Sequence, residues 1–257
     1  MEIHEVNIVN TQASAHAVDG LQCLTLTVLI RPQLACNPNL GAVNAAMEGV
    51  LPELISMNND NSDVEIEIAV LAFETGTQWV TGSGLVKPES YAWNDLNVGG
   101  GTSMGAAFRE LEKVLSVSHG FMNRASGSVA PVLFLLTDGE PTDNYQDGLN
   151  ALRDNNWYKV AAKVAIGYGQ SNDAVLREFT GNPETVLHTN DPKDLKNMIR
   201  FVTITSSMVA STGKGVDTQN NAAGTAADPN DTTNAVAAAL KTAPPALSGA
   251  TDPDEEW

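Results

Sequence analysis

The sequence predicts an α/β fold with a mainly parallel, doubly wound sheet and helices on both faces. Strand-like and helix-like segments alternate along most of the chain, which is typical of this class. Two strand-like segments, 21–30 and 129–137, are apolar almost throughout. A parallel strand buried on both faces has this composition, so these segments are expected at the centre of the sheet.

The first half of the alternation begins with the buried strand at 21–30, "LQCLTLTVLI". Residues 40–58 then carry apolar side chains at helical spacing, and Pro52 inside them predicts a kink or a break. Residues 64–74 start with strict alternation and end apolar, and the following "TQWVTG" predicts a hairpin partner. Residues 103–118 form the clearest amphipathic helix in the chain.

The second half continues with strands and helices in turn. Strands are predicted within 129–137, 157–169 and 184–189, and helices within 144–156, 171–181 and 191–211. Ser171 or Asn172 is the expected N-cap of the helix at 171–181, and Gly181 is its expected C-terminal stop. Asp191 and Pro192 are expected to start the last helix.

The alternation defines one domain over residues 20–210, with a segment on each side. Residues 1–19 form an N-terminal extension that either adds an edge strand or serves a partner. Residues 211–257 contain almost no large apolar side chains and end in "DPDEEW". Such a segment cannot offset its ordering entropy, so we predict a disordered acidic tail with a transient helix at "NAVAAALK".

The composition excludes several classes of partner. The formal charge of −17 argues against nucleic acid and against anionic membrane surfaces, because both repel an acidic protein. The two cysteines, Cys23 and Cys36, make neither a zinc pattern nor a disulfide framework. No signal peptide and no segment of membrane-spanning length is found, so we expect a soluble, cytoplasmic protein.

Candidate binding residues follow the strands, because an open parallel sheet binds ligands at the carboxyl ends of its strands. Arg31 comes directly after the first strand, and Asp138 opens "TDGEPTD" after the strand at 129–137. Thr102 and Ser103 lie in "VGGGTSMG", at the start of the amphipathic helix. These side chains are therefore expected to meet at one edge of the sheet.

A serine hydrolase is an alternative interpretation of some of the same residues. "GTSMG" matches GxSxG, and Ser103, Asp138 and His188 occur in the chain order of an α/β-hydrolase triad. However, a nucleophile elbow needs a strand directly before the serine, whereas "WNDLNVGGG" precedes Ser103. The sequence disfavours this reading, and no dinucleotide motif replaces it, because the glycine run does not give GxGxxG.

Two segments carry a family resemblance. "GGGTSMGAAFRELEKVL" and "APVLFLLTDGEPTDNYQDGLNALR" resemble a von Willebrand factor A (vWA) domain of the bacterial TerY-like, tellurium-resistance group, as does the closing "FVTITSSMVAS". The resemblance spans residues 20–210. It implies a doubly wound, Rossmann-like α/β fold with a divalent-metal site, the metal ion-dependent adhesion site (MIDAS), at the carboxyl end of the sheet.

The family's metal site is degenerate in this chain. The resemblance maps its threonine onto Thr102 and its later aspartate onto Asp138, but its Asp-x-Ser-x-Ser segment falls on 31–35. There Arg31, Gln33 and Ala35 replace the three ligands. Mg²⁺ needs hard oxygen ligands, and a guanidinium keeps its proton, so we predict that Arg31 replaces the ion. It would pair with Asp138 and hydrogen-bond Thr102; the alternative is that it points to solvent.

No cofactor is therefore expected, although one route to metal binding stays open. Glu140 and Asp143 lie in the same loop as Asp138 and could form a displaced Mg²⁺ site. That would make the chain a functional metal-dependent vWA module, which we treat as a further alternative.

The resemblance implies a binding module and not an enzyme. TerY-like proteins are associated with Ser/Thr kinases and PP2C-type phosphatases in bacterial stress systems, so partners of these kinds are expected. The predicted contact residues at the sheet edge are Arg31, Thr102, Ser103, Asp138 and Glu140.

The tail adds a second predicted contact. Trp257 in "TDPDEEW" could anchor in a basic-rimmed pocket of a partner. Thr225 and Thr251 each precede an aspartate by three residues, a spacing that suits a phosphorylated recognition site, although an inert tail explains them as well.

Overall fold

Six strands form the sheet of this protein. The computed structural model describes residues 22–32, 38–82, 84–97, 100–123, 127–212 and 231–242. The strands are β1 (Gln22–Ile30), β2 (Val64–Phe73), β3 (Thr77–Trp79), β4 (Val132–Thr137), β5 (Ala162–Tyr168) and β6 (Val186–Thr189). Their order across the sheet is β3-β2-β1-β4-β5-β6. All neighbours are parallel except β2 and β3, whose antiparallel pairing confirms the predicted hairpin.

Helices cover both faces of the sheet, as the sequence predicts. They are α1 (Pro38–Asp60), α2 (Met104–Val114), α3 (Tyr145–Asp154), α4 (Asn156–Val160), α5 (Asp173–Thr180), α6 (Pro192–Thr212) and α7 (Asp231–Lys241). Helices α1, α6 and α7 pack on one face, where Val43, Ile199 and Val236 join the core. Helices α2, α3 and α5 pack on the other, around Phe108 and Phe179. Among the described residues, every helix is too short or too polar to span a bilayer.

The two apolar strands that were predicted at the centre of the sheet are buried. Eight of the nine residues of β1 and all six of β4 are buried. The predicted start of α5 is also confirmed, because the side chain of Asn172 accepts a hydrogen bond from the amide of Ala174. Gly181 ends that helix with φ of 71°, in the left-handed region that glycine tolerates at no steric cost.

A break at Pro52, one of the two predicted outcomes, is wrong, and a short helix that the sequence did not predict precedes the strand within 157–169. Helix α1 runs unbroken through Pro52, which is exposed, as is Glu48 one turn earlier. Because Pro52 has no amide hydrogen, the carbonyl of Glu48 lacks its usual helical hydrogen bond, but it lies on the exposed side of α1. Burial of the opposite side of the helix offsets the cost of the proline. The strand predicted within 157–169 is confirmed as β5, and the short helix α4 precedes it, because Asn155 accepts hydrogen bonds from the amides of Trp157 and Tyr158.

The predicted disordered tail over 211–257 is also wrong in part. Helix α6 continues to Thr212, and α7 is an ordered helix packed on α6 and β5. Thr233 of α7 is fully buried: its hydroxyl donates to the carbonyl of Ala161 at 3.0 Å and accepts from the amide of Lys163 at 3.2 Å. Alanine-rich composition concealed this docking, because small side chains still pack closely against a helix.

Several sequence predictions concern residues that the structure does not describe. These are the extension at 1–19, the remainder of the tail at 213–230 and 243–257, and the individual residues Gln33, Ala35, Cys36, Thr225, Thr251 and Trp257.

Candidate functional site

The candidate site lies at the centre of the sheet, where the chain reverses its direction of winding. From β1 the strands proceed outward to β2 and β3 on one side, whereas β4, β5 and β6 follow on the other. Ligands of doubly wound sheets bind at the carboxyl side of such a switch point. The amide of Arg31 donates to the carbonyl of Leu136 at 3.0 Å, which extends the β1–β4 ladder and brings Arg31 beside the loop that starts with Asp138.

Arg31 forms an ion pair with Asp138 at this point. Its Nη1 donates to Oδ1 of Asp138, and its Nε donates to the carbonyl of Gly101 at 3.4 Å. Both charged side chains are 11% exposed. The predicted pairing is therefore present, and the alternative in which Arg31 points to solvent is wrong. The guanidinium joins the loops that follow β1, β4 and the glycine run.

Gly139 provides the space for this guanidinium. A Cβ built at position 139 would lie 2.4 Å from Nη1 of Arg31 and 3.1 Å from its Cζ. A side chain at position 139 would therefore force the end of the Arg31 side chain to shift, and glycine leaves room for the guanidinium in its observed position. Sequence reasoning missed this role of Gly139, because nothing near it in the sequence marks a contact with residue 31.

The loop after β4, which carries Asp138 and Gly139, also holds Thr102 in place. It is 1% exposed, its amide donates to the hydroxyl of Thr142 at 3.0 Å, and its carbonyl accepts from the amide of Thr142 at 3.0 Å. The glycine-rich segment is tied in turn to the β2–β3 turn, where Glu74 accepts from the amide of Gly100 at 2.9 Å. Thr142 and Glu74 are site residues that the sequence did not single out.

Asp143 caps α2 instead of facing a ligand. Its two carboxylate oxygens accept from the amides of Gly105 and Ala106 at 2.9 and 3.0 Å. A carboxylate at this position also compensates the positive end of the helix dipole. Ser103 occupies the N-cap position but makes no capping bond with its side chain. The partners of Asp143 are about 38 residues away in sequence, so local spacing could not reveal the cap.

A divalent cation does not fit these residues. The charge of Asp138 is already compensated by Arg31, and a permanently protonated guanidinium repels a metal at the same place. The displaced site is not assembled either, since Asp143 is occupied as a cap and Glu140 lies beside Asn172, at 3.4 Å. Within the described residues, no three His, Cys, Asp or Glu side chains are grouped so that they could hold a metal.

The three residues of the hydrolase alternative have separate partners. Asp138 pairs with Arg31, whereas Nδ1 of His188 faces Oδ1 of Asp173 at 3.0 Å and the hydroxyl of Ser171 at 3.4 Å. The described residues 100–102, directly before Ser103, do not form a strand. The geometry therefore does not support a triad in which His188 takes the proton of Ser103 while Asp138 orients its ring.

A known family model matches part of the chain. Residues 89–201 match the model of the von Willebrand factor type A domain, and this segment contains the glycine-rich turn and the loop that carries Asp138. The match covers less than half of the chain's 257 residues. Comparison with curated protein sequences gave no match.

Solved structures show the same fold. Proximal thread matrix protein 1 of the mussel byssus, in a structure with a zinc-occupied MIDAS motif, aligns with a TM-score of 0.54 at 15% identity, over 72% of this chain and 48% of its own. A von Willebrand factor type A protein of Catenulispora acidiphila gives 0.52 at 17% identity, over 77% and 44%. The vWF domain of the pilus tip protein Mfa5 of Porphyromonas gingivalis gives 0.54 at 9% identity, over 78% and 100%.

These likenesses establish the fold of the described chain as the vWA type of doubly wound α/β sheet. The chain spans about half the length of the mussel and Catenulispora structures and the full length of the Porphyromonas domain. At such low identity the comparison reaches no further than the fold, so the roles of the individual residues rest on the geometry above.

Proposed function

We propose that this chain is a non-catalytic protein-interaction module of the vWA type, in which an internal ion pair takes the place of a metal. The observation that carries the proposal is the Arg31–Asp138 pair at the switch point of the sheet. It supplies a positive charge where the related fold is expected to hold a cation, and it links the same three loops. Binding by this face then needs no metal.

The contact surface differs from one that completes a metal's coordination shell with a partner's carboxylate. Arg31 is only 11% exposed and its charge is compensated, so it offers little to an acidic partner. Glu140, in contrast, is exposed in the loop after β4, and Thr142 beside it is exposed as well. We therefore propose a partner that presents basic or neutral polar groups to this edge.

The class of partner remains the one suggested by the TerY-like resemblance. A Ser/Thr kinase and a PP2C-type phosphatase of a bacterial stress system are the proposed partners, with the chain acting as their adaptor in the cytoplasm. Support for this class of partner comes from the resemblance, at the level of the group.

Purified kinase and phosphatase candidates can be tested by affinity capture on the immobilised chain. Glu140→Arg should abolish capture, because it places a cation on the proposed contact. Glu89→Arg is the matched control: Glu89 is also exposed, but it lies in the 3₁₀ turn Pro88–Ser90, which packs against α1. Capture should survive EDTA. Loss of capture with EDTA, or retention with Glu140→Arg, would contradict the proposal.

A further inference from the structure

A cavity opens at the C-terminal end of α2, away from the Arg31–Asp138 pair. It lies between the segment that follows β3 and the turn that follows α2, and its volume is about 370 Å³. Its lining residues are Gly84, Leu85, Val114, Asn123 and residues 119–121. A cavity of about 150 Å³ accommodates a benzene-sized group, so this one has room for two apolar side chains. We call it the α2-end pocket.

The lining of the α2-end pocket is uncharged apart from the imidazole of His119. Leu85, Val114 and Phe121 supply apolar side chains, and all three are only partly buried. The ring of Phe121 contacts that of Trp79 on the edge strand β3, with 5.3 Å between the ring centres. An apolar surface therefore continues from the pocket to the edge of the sheet. Such a surface favours aliphatic side chains whose neighbours carry no charge.

Two other cavities of the described residues differ from the α2-end pocket in charge. A cavity of about 510 Å³ is lined by Glu112 and Lys113, among other residues. A cavity of about 170 Å³ is lined by Glu178 together with three basic side chains. An apolar occupant of either would remove water from charged groups without replacing their hydrogen bonds, whereas the α2-end pocket carries no such cost from a carboxylate or an ammonium group.

The first described strand begins beside the α2-end pocket. The amide of Cys23, near the start of β1, donates to the carbonyl of Gly127 at 3.1 Å. The hydroxyl of the next residue, Ser128, donates to the carbonyl of Met122 at 3.4 Å. Met122 lies between two residues of the pocket lining. The residues that precede β1 therefore join the sheet next to this pocket.

We propose that the α2-end pocket binds residues 6–9 of the same chain, with the side chains of Val6 and Ile8 inside it. These residues read "VNIV" and contain three β-branched apolar side chains and no charge. Valine and isoleucine favour extended backbone. Residues two apart in an extended segment point to the same side, so Val6 and Ile8 can enter one pocket together.

Other segments outside the described residues suit this pocket less well. Residues 213–230 contain a single branched aliphatic residue, Val216, and residues 243–257 contain a single one, Leu247. The stretch at 6–9 also has the shorter connection, because residues 10–21 join it directly to β1. Twelve residues can span up to about 40 Å, which is more than the path from β1 past Ser128 and Met122 requires.

Methyl NMR of the full-length chain, with its Ile, Leu, Val and Met methyl groups labelled, tests the proposal. Ile8 should give nuclear Overhauser contacts to Leu85 and Val114, because such contacts arise only between groups that are close in space. It should give none to Met208, an exposed apolar side chain on α6 at the opposite face of the sheet.

Three variants complete this experiment. Deletion of residues 1–12 should shift the methyl signals of Leu85 and Val114. Ile8→Asn should reproduce that shift, whereas the matched control Val18→Asn, in the connection to β1, should leave both signals in place. The deletion and both substitutions lie outside the described core, so none of them is expected to impair folding.

Three results would overturn the proposal. One is the absence of contacts from Ile8 to the pocket, or contacts to Met208 of equal strength. Another is a deletion of residues 1–12 that leaves the signals of Leu85 and Val114 unchanged. The third is a set of contacts that appears only between differently labelled chains in a mixed sample, which would assign the pocket to a second copy.

Discussion

Breaking the Arg31–Asp138 pair should destabilise the fold much more than breaking an exposed pair. Both side chains are 11% exposed, so removing one leaves the other charge largely desolvated and without this ion-pair partner. Two charges about 4 Å apart interact by about 4 kcal/mol at an effective dielectric constant of 20. Removing one member of a buried pair costs about 3–5 kcal/mol, and with this partial exposure we expect about 3 kcal/mol for Arg31→Met or Asp138→Asn.

The coupling between the two residues distinguishes a pair from two independent losses. Arg31→Met combined with Asp138→Leu removes both charges and should cost clearly less than the sum of the single changes, by about 2 kcal/mol. Urea unfolding followed by circular dichroism measures all three variants. The matched control is Lys113→Gln, which breaks the exposed pair with Glu110 and should change stability by less than about 0.5 kcal/mol.

This reasoning is refuted if the single variants at residues 31 and 138 are as mild as the control. Strictly additive effects would refute it equally, because they would show that the two charges do not compensate each other in the folded chain.

Three further predictions concern neighbouring features. Gly139→Ala should displace the guanidinium of Arg31 and lower the melting temperature, whereas the same change in a chain already carrying Arg31→Met should be milder. Burial lowers the pKa of Lys163 from 10.5 to about 8, so the unfolded chain holds this proton at pH values where the folded chain has lost it. Folding stability therefore rises between pH 8 and 10.5, and over that interval the wild type should gain roughly 3 kcal/mol relative to Lys163→Met in unfolding titrations; a constant difference would contradict this. Thr233→Val should leave the amide of Lys163 unpaired, cost about 1–3 kcal/mol, and increase hydrogen exchange in α7; unchanged exchange would show that α7 docks without this bond.

The architecture of the sheet was predictable because hydrophobic patterning reports burial directly. The apolar runs at β1 and β4 are typical of strands at the centre of a parallel sheet, and both strands lie there. Hydrophobic patterning fails to predict an element whose packing depends on a single side-chain contact. Thr233 docks α7 from a segment whose composition alone favours disorder.

The sequence predicts only those site residues that follow a central strand or occupy a position of a known motif. Arg31 and Asp138 follow two central strands directly, so the sequence predicts that they meet at one edge of the sheet. In contrast, Asp143 and Gly139 act on residues that are distant in sequence. Asp143 caps α2, and Gly139 leaves room for the guanidinium of Arg31. Such roles depend on how loops meet in three dimensions, and no periodicity encodes them.

Titration calorimetry with Mg²⁺ and Mn²⁺ tests the central claim most directly. The wild type should give no saturable heat, because Arg31 supplies the positive charge beside Asp138. A variant with Arg31→Asp, Gln33→Ser and Ala35→Ser restores the ligand types expected of the family's metal site and should gain binding. Saturable binding to the wild type at micromolar metal, lost in Asp138→Ala, would contradict the account.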